Sequence, residues 1–521
     1  MATFRAYLIG FVVGHEIIVT CEIWCSLKQT SDAQPETCAR ILGVFLFPSY
    51  SHQKVFQPIW RDLSLRGHDV TVCTTTPLND PNLTNLTEIN ISFQHDNTQH
   101  APPDFLSKEI NMFEDFHNIV NYMDFIAATA LTHPSFKNFL ETCAENFDLI
   151  ILECLYPVLY GLSRKFQAPI ACVSSLGALT VFQDVVGNPS HPTLYREFFV
   201  TLHHPDLDLW HQSELVLLNL WSRFWYEFVV LPRGAVLAKS VFGHEIGDTL
   251  DGEKSVKLFL LNVNRVVYHP RPNVPAVLEL GQMGLKPKET LREDLQTFLD
   301  QAKSGVVYFS LGTLVHLEGS SIGRTILEGL ARVPYKVIIK WNCSTLLHNY
   351  TNILCREWLP QTQILEHPNL KVFVTQGGLQ SLEESISARV PLVALPFLVD
   401  QPMNVYKLVK QGIGKALNPV TVTPDELKDC VVEVAENRTY RDRVVEIRGV
   451  LLDKATVSTE KAIWWMEYII RHKGAPHLRS LNVDISWFSY LLGDVIALFV
   501  VGLASTCLCF YYLLKLFNYN L

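Results

Sequence analysis

The chain has no basic run and no surplus of positive charge: 43 Lys and Arg stand against 52 Asp and Glu, a formal charge of −9. A nucleic-acid-binding surface needs clustered cations to displace phosphate counterions, so that class of partner is not expected. Metal ligation lacks its pattern as well. The twelve cysteines lie scattered, none in a Cys-x-x-Cys pair, and no His cluster completes a zinc site. Several cysteines fall in apolar strand-like runs, where a free thiol behaves as a small hydrophobe. At 521 residues the chain exceeds one ordinary core and calls for two domains with accessories.

Both ends are apolar. Val495 to Leu514 runs 20 residues without a charge, enough to cross a bilayer as a helix, which sets an expected transmembrane helix at 490–515 and a short tail at 516–521. Near the start, Arg5 precedes the apolar run Ala6–Val13, and Ser31-Asp-Ala33 offers small residues for cleavage. Residues 1–33 are therefore expected as a signal peptide, although His15, Glu16 and Glu22 interrupt its core. Six sequons, at Asn82, Asn85, Asn90, Asn342, Asn349 and Asn437, agree with a lumenal bulk. Together these features imply a single-pass type I membrane protein. Against the positive-inside rule, only Lys515 follows the uncharged run Val495–Leu514, while Arg471, Lys473 and Arg479 precede it.

Short apolar runs alternate with longer amphipathic ones, the pattern of an α/β layer structure with mainly parallel sheets. Ile41–Phe47, Asp69–Thr75, Leu149–Leu152 and Ile170–Val173 are predicted strands of a domain at 34–268, with a helix over Val55–Leu65. A Trp- and Leu-rich helical segment between Leu202 and His244 is read as facing a membrane or lining an acceptor pocket. The run Tyr268-His-Pro-Arg-Pro-Asn-Val-Pro275 suits neither helix nor central strand, so 269–288 is read as a linker. A second domain at 289–480 repeats the alternation, with strands at Val306–Leu311, Val337–Ile339, Val372–Val374 and Leu392–Leu395 and a helical tail. Two doubly wound domains facing a cleft are expected.

The most informative stretch runs from Trp358 to Gln401. After Trp358-Leu-Pro-Gln361, the strand Lys371-Val-Phe-Val374 breaks at Thr375-Gln-Gly-Gly378 and restarts as a helix carrying Glu383 and Glu384. A strand that breaks at two glycines before a helix aims free N–H groups and a positive dipole end at one spot, which suits a diphosphate. The next apolar strand, Pro391–Pro396, leads to Asp400-Gln401, in the zone where ligands gather beyond parallel strands. Each piece alone has a plainer reading as a tight turn, a core Trp or a helix cap; their spacing together resembles the signature of the UDP-glycosyltransferase family. The wording Thr-Gln-Gly-Gly-Leu-Gln-Ser is similar to insect members and baculoviral ecdysteroid glucosyltransferases.

The resemblance implies the GT-B architecture of two Rossmann-like domains, a UDP-sugar co-substrate, UDP-glucose favoured, and a small lipophilic alcohol or phenol as acceptor. No cofactor or metal is expected, a homo-oligomer is allowed, and family members reside in the endoplasmic reticulum, although the dilysine retrieval signal usual there is absent. It implies that Trp358 stacks on uracil, that Gln361 and Glu384 hold the ribose, and that Asp400 and Gln401 bind the sugar. Thr313, Gln376, Gly377, Gly378, Gln380 and Ser381 would lie along the phosphates. Gln376 stands where most members carry His, so a cationic donor is replaced by a neutral one.

An alcohol is a poor nucleophile at neutral pH and needs a general base. His52 sits just past the first strand, facing the expected cleft, and the resemblance gives it that role. Glu153, at the carboxyl end of its strand, aligns with the family's catalytic Asp and is preferred over Asp148 at the strand's start. Two other readings fit: a membrane-anchored binding protein that has lost turnover, favoured by Gln376 and Glu153, and another GT-B enzyme such as an epimerase or phosphorylase, disfavoured by the anchor and the spacing.

Overall fold

The computed structural model describes residues 38–93, 112–144, 146–200, 208–243, 252–268, 270–284, 290–313, 315–345, 350–454, 456–490 and 492–519. The expected signal peptide and the sequon at Asn349 lie outside the described residues.

Seven parallel strands form the first sheet, in the order β3-β2-β1-β4-β5-β6-β7. They are β1 Arg40–Phe45, β2 Asp69–Thr74, β3 Leu86–Asn90, β4 Leu149–Glu153, β5 Ile170–Ser174, β6 Val256–Leu261 and β7 Val277–Glu279. Helices cover both faces, so the central strands are apolar without alternation; every residue of Leu-Ile-Ile-Leu-Glu in β4 is buried. β1 stops at Phe45, short of the expected Phe47, because the Leu46 and Phe47 amides turn to a side-chain carboxylate, that of Glu153. Helix α1, Tyr50–Leu65, follows directly. The Trp-rich segment forms helices α2, Leu209–Trp225, and α3, Leu231–Phe242, joined through one π-helical turn. Leu209, Trp210, Leu217, Leu220, Trp221, Phe224 and Phe228 on it are exposed.

The second sheet has six parallel strands in the order β10-β9-β8-β11-β12-β13. They are β8 Val306–Ser310, β9 Lys336–Lys340, β10 Ile353–Arg356, β11 Leu370–Thr375, β12 Leu392–Ala394 and β13 Gly414–Ala416. Helices α4, Leu379–Ser387, α5, Gln401–Lys410, and α6, Pro424–Glu436, follow β11, β12 and β13 in turn. Each sheet reverses its winding once, between β1 and β4 and between β8 and β11. Such switch points open crevices at the carboxyl ends of their strands.

Three features depart from the sequence reading. The stretch 269–288, expected as linker, supplies the edge strand β7, which pairs with β6. The tail helix α7, Ser458–Arg471, expected with the second domain, packs Ala462, Ile463, Met466 and Ile469 into the core of the first sheet. Its Glu467 takes bonds from Arg66 at 3.0 and 3.1 Å, so chain order and domain membership part company here. Finally, Cys343 and Cys355 form a disulfide. Adjacent strands β9 and β10 bring them together, a proximity that sequence spacing alone does not reveal. Cys73, Cys154 and Cys172 are free and buried in strands or beside them. The apolar C-terminus is helix α8, Gly493–Tyr519, and Gly493–Leu516 is long and apolar enough to cross a membrane.

Candidate active site

Both switch points open into one cleft of about 250 Å³. From the first sheet it takes the loop after β1 and the start of α1, with Tyr50, His52 and Lys54. From the second it takes the loop after β8 with Thr313, the end of β9 with Lys340, and the α4 N-terminus. His52, Thr313, Trp358, Gln361, Gln376, Gly378, Gln380, Ser381, Glu384, Asp400 and Gln401 all line it. Of the residues singled out from sequence, Gly377 and Glu153 are not on its wall. Gly377 shapes the turn instead: its φ is +87°, and a Cβ there would meet Val405 at 2.2 Å.

His52 is 9% exposed, its ring against Phe47 at 4.4 Å. Nδ1 lies 2.7 Å from Ser175 Oγ and 3.7 Å from Glu153 Oε1. Glu153 is buried at the end of β4, where its Oε2 accepts from the Leu46 and Phe47 amides at 3.1 and 3.0 Å. Its Oε1 has no hydrogen-bond partner. One carboxylate thus ties down the loop that carries His52 and turns its second oxygen toward the ring. This arrangement leaves the imidazole Nε2 for another group. Asp148 stands at the opposite end of the strand, accepting from the Arg40 amide at 2.8 Å.

On the facing wall, Asp400 accepts from Asn404, and burial pushes its carboxyl pKa up, opposed by the Asn404 bond and by the charge of His52. Gln401 Oε1 accepts from the Phe397 and Leu398 amides at 2.9 and 3.0 Å, which leaves its amide N–H₂ to donate. Gln361 donates to Glu384 at 2.8 Å and to Ser381 at 3.1 Å. Trp358 is 55% exposed, with Tyr50 edge-on at 4.8 Å. The Gln376 amide packs over Gly312, whose φ is +71° and where a Cβ would come within 2.4 Å of it.

Three residues at or just behind the cleft wall escaped the sequence reading. Ser175, just past β5, is the nearest partner of His52. Lys54 crosses the cleft to Glu384 at 2.9 Å. Lys340 donates to the Gly312 carbonyl at 2.8 Å and lies 4.6 Å from the centre of the Trp358 ring. Burial lowers its pKa to about 8. A signal for Lys340 existed: a lone cation at the carboxyl end of an apolar parallel strand. Neighbouring Glu383 faces inward, its carboxylate accepting from Gln282 N and Asn264 Nδ2, and burial raises its pKa to about 7.

Two doubly wound domains with their switch points on a shared cleft define the GT-B fold. Solved structures of this kind include the glycotransferase of kitacinnamycin, with a TM-score of 0.52 and 20% identity over 83% of this chain and 98% of that one. Spinosyn forosaminyltransferase SpnP gives a TM-score of 0.55 and 16% identity over 83% and 99%. At such identities the likeness is one of fold.

Sequence comparison adds the family. The UDP-glucoronosyl and UDP-glucosyl transferase profile matches residues 43–520, and the chain belongs to that family of UDP-glycosyltransferases. The ecdysteroid UDP-glucosyltransferase of Lymantria dispar multicapsid nuclear polyhedrosis virus is 30% identical over 88% of this chain and 92% of its own. UDP-glycosyltransferase UGT4 of Dactylopius coccus is 28% identical over 89% and 92%. Human UDP-glucuronosyltransferase 2B7 is 25% identical over 88% and 89%.

Proposed function

We propose that this enzyme transfers a hexose, glucose in the favoured reading, from its UDP carrier to a hydroxyl of a small lipophilic acceptor with inversion. The observation that carries the proposal is the placement of His52, backed by Ser175 and Glu153, across one cleft from Asp400 and Gln401. In this reading Trp358 stacks on the uracil while Gln361 and Glu384 hold the ribose. Thr313, Gln376, Gln380, Ser381 and the amides around Gly377 and Gly378 take the diphosphate. Asp400 and Gln401 hold the sugar hydroxyls. As the acceptor oxygen bonds to the anomeric carbon, His52 Nε2 takes its proton and Glu153 stabilises the imidazolium. The bond from the anomeric carbon to UDP breaks on the opposite face, and its electron pair leaves with the diphosphate. Lys340 and the N-terminal end of α4 offset that charge, with no metal step invoked.

The choice of glucose is supported by the glucosyltransferase names of viral and insect relatives. We place the bulk of the chain in the endoplasmic reticulum lumen, anchored by α8. Asn82, Asn85, Asn90, Asn342 and Asn437 are all exposed, as sites of glycosylation must be. Turnover of a panel of phenols and steroids with UDP-glucose, UDP-glucuronate and other UDP-sugars tests the proposal. Saturable transfer from UDP-glucose supports it, glucuronate transfer alone corrects the sugar, and UDP binding without transfer to any acceptor establishes the binding-protein alternative.

A further inference from the structure

A second cavity of about 550 Å³ lies where the two domains meet, on the far side of α5 from the catalytic cleft. The N-terminal end of α5 gives Asp400 and Gln401 to the cleft, while Met403, Tyr406, Lys407 and Lys410 of the same region line the second cavity. The loop after β5 divides in the same way, Leu176 on one side and Gly177, Ala178 and Thr180 on the other.

Five cations reach this cavity: Arg196, Arg265, Arg271, Lys407 and Lys410. Two carboxylates, Glu197 and Glu279, line it as well, and with Asp184 they act on Arg271 from beyond ion-pair distance. Glu197 accepts from the Thr180 amide at 3.1 and 3.2 Å, and burial raises its pKa, while Glu279 accepts from Asn273 at 2.9 Å. Among the described residues no carboxylate lies within ion-pair distance of any of the five cations. Arg196 Nε donates to the Thr193 carbonyl and one Arg271 nitrogen to the Pro189 carbonyl, while Arg271 Nε is buried without a partner. Lys407 sits over the Tyr268 ring at 4.9 Å, and burial together with the Arg196 charge lowers its pKa to about 8. Five cations against two carboxylates leave a surplus of positive charge in a partly buried hollow, which the entry of an anion relieves. Rings complete the wall: Tyr195 lies under Arg271 at 5.4 Å and Tyr406 beside Lys410 at 5.8 Å.

We propose that this cavity is a second ligand site, one that takes a small organic anion with an aromatic or apolar body and a carboxylate, sulfonate or phosphate head. Arg196, Arg271 and Lys407 meet the head, and the tyrosines meet the body. The site is separate from the donor cleft and does not depend on how that cleft is read. Because both share α5, its occupancy bears on the helix that begins at Asp400 and Gln401.

The test uses the full chain in detergent micelles with saturating UDP present. Naphthalene-2-sulfonate, 2-naphthoate and 2-naphthyl phosphate are titrated by equilibrium dialysis against protein-free micelles, with 2-methoxynaphthalene as the neutral analogue. At least one anion is expected to bind saturably, at one per chain, with the order among the three naming the preferred head. The Arg196→Gln, Lys407→Met double variant should weaken that binding at least tenfold and leave UDP binding unchanged; Lys407→Arg should restore most of it. If the double variant loses UDP binding and so its fold, the exposed Arg265→Gln and Lys410→Met changes are read instead, each expected to weaken the anion severalfold. The proposal is overturned if no anion saturates, if the neutral analogue binds equally, or if the charge changes leave affinity intact.

Discussion

Replacing Glu153 by Gln isolates the charge that the structure places 3.7 Å from His52 Nδ1. Two unit charges at about 4 Å interact by about 4 kcal/mol at the effective dielectric of roughly 20 suited to protein sites. That is close to 10³-fold in rate if the imidazolium forms fully in the transition state. Ser175 Oγ, 2.7 Å from the same nitrogen, keeps part of the ring's support, so the expected loss of turnover is roughly 10²–10³-fold. The amide cannot serve all of Glu153's contacts either. One of its ends must face the Leu46 and Phe47 amides and the other the His52 ring, so an N–H₂ meets a donor on one side. His52→Ala should lose about 10²–10⁴-fold with UDP affinity nearly intact, because the ring contacts the acceptor side. The assay is single-turnover transfer to a phenol, with UDP affinity measured separately for each variant. If the two residues act as one unit, the double variant is little worse than His52→Ala alone. Two multiplicative losses refute the coupling. So does a fully active Glu153→Gln enzyme alongside a dead Asp148→Ala one.

Trp358→Ala should raise the apparent donor constant by the value of a base–aromatic stack, about 1–3 kcal/mol, and unchanged donor affinity removes the ring from the pocket. Lys340, with a pKa near 8, is charged below that pH and neutral above it, and a bound diphosphate favours the charged form. UDP affinity measured by calorimetry should therefore fall as pH rises through 8, by up to tenfold per unit until the pKa of the bound state is reached, and Lys340→Met should flatten the profile. Deleting Asp494–Leu521 should release most of the protein from carbonate-washed membranes; retention shows that the exposed Trp and Leu face of α2 anchors it as well.

The parallel layers were legible because strands buried on both faces read as unbroken apolar runs, as in Val306–Ser310 and Leu149–Glu153. The place of Glu153 at the carboxyl end of β4 was legible by counting along that strand, whereas the role given to it came from the resemblance to the family. What failed to show depends on distance in sequence. Nothing local to Ser458–Arg471 reveals that its apolar face belongs to the other domain, since its partners on α1 and β4 lie hundreds of residues earlier. Cys343 and Cys355 carry no spacing signal and meet only because β9 and β10 are neighbours. Ser175 is an ordinary residue until the ends of β1 and β5 come together, and Lys54 until the two sheets face each other.

That facing also bears on where donor affinity arises. The polar side chains of the cleft already bond one another: Lys54 and Gln361 to Glu384, Asn404 to Asp400, and Gln380 to the Ser175 carbonyl at 2.8 Å. A ribose that takes Glu384 exchanges those bonds for its own, and an exchange of like for like contributes little net free energy. The half-exposed Trp358 face and the charge of the diphosphate have no such internal substitute. Lys340 stands between them, bonded to Gly312 in the loop after β8 and close to the Trp358 ring, and it is the one cleft cation that no carboxylate binds among the described residues. On the proposed roles, the neutral Gln376 does not leave the diphosphate without a cation. Lys340 offers one from the end of β9, where most members of the family carry a His in the turn after β11.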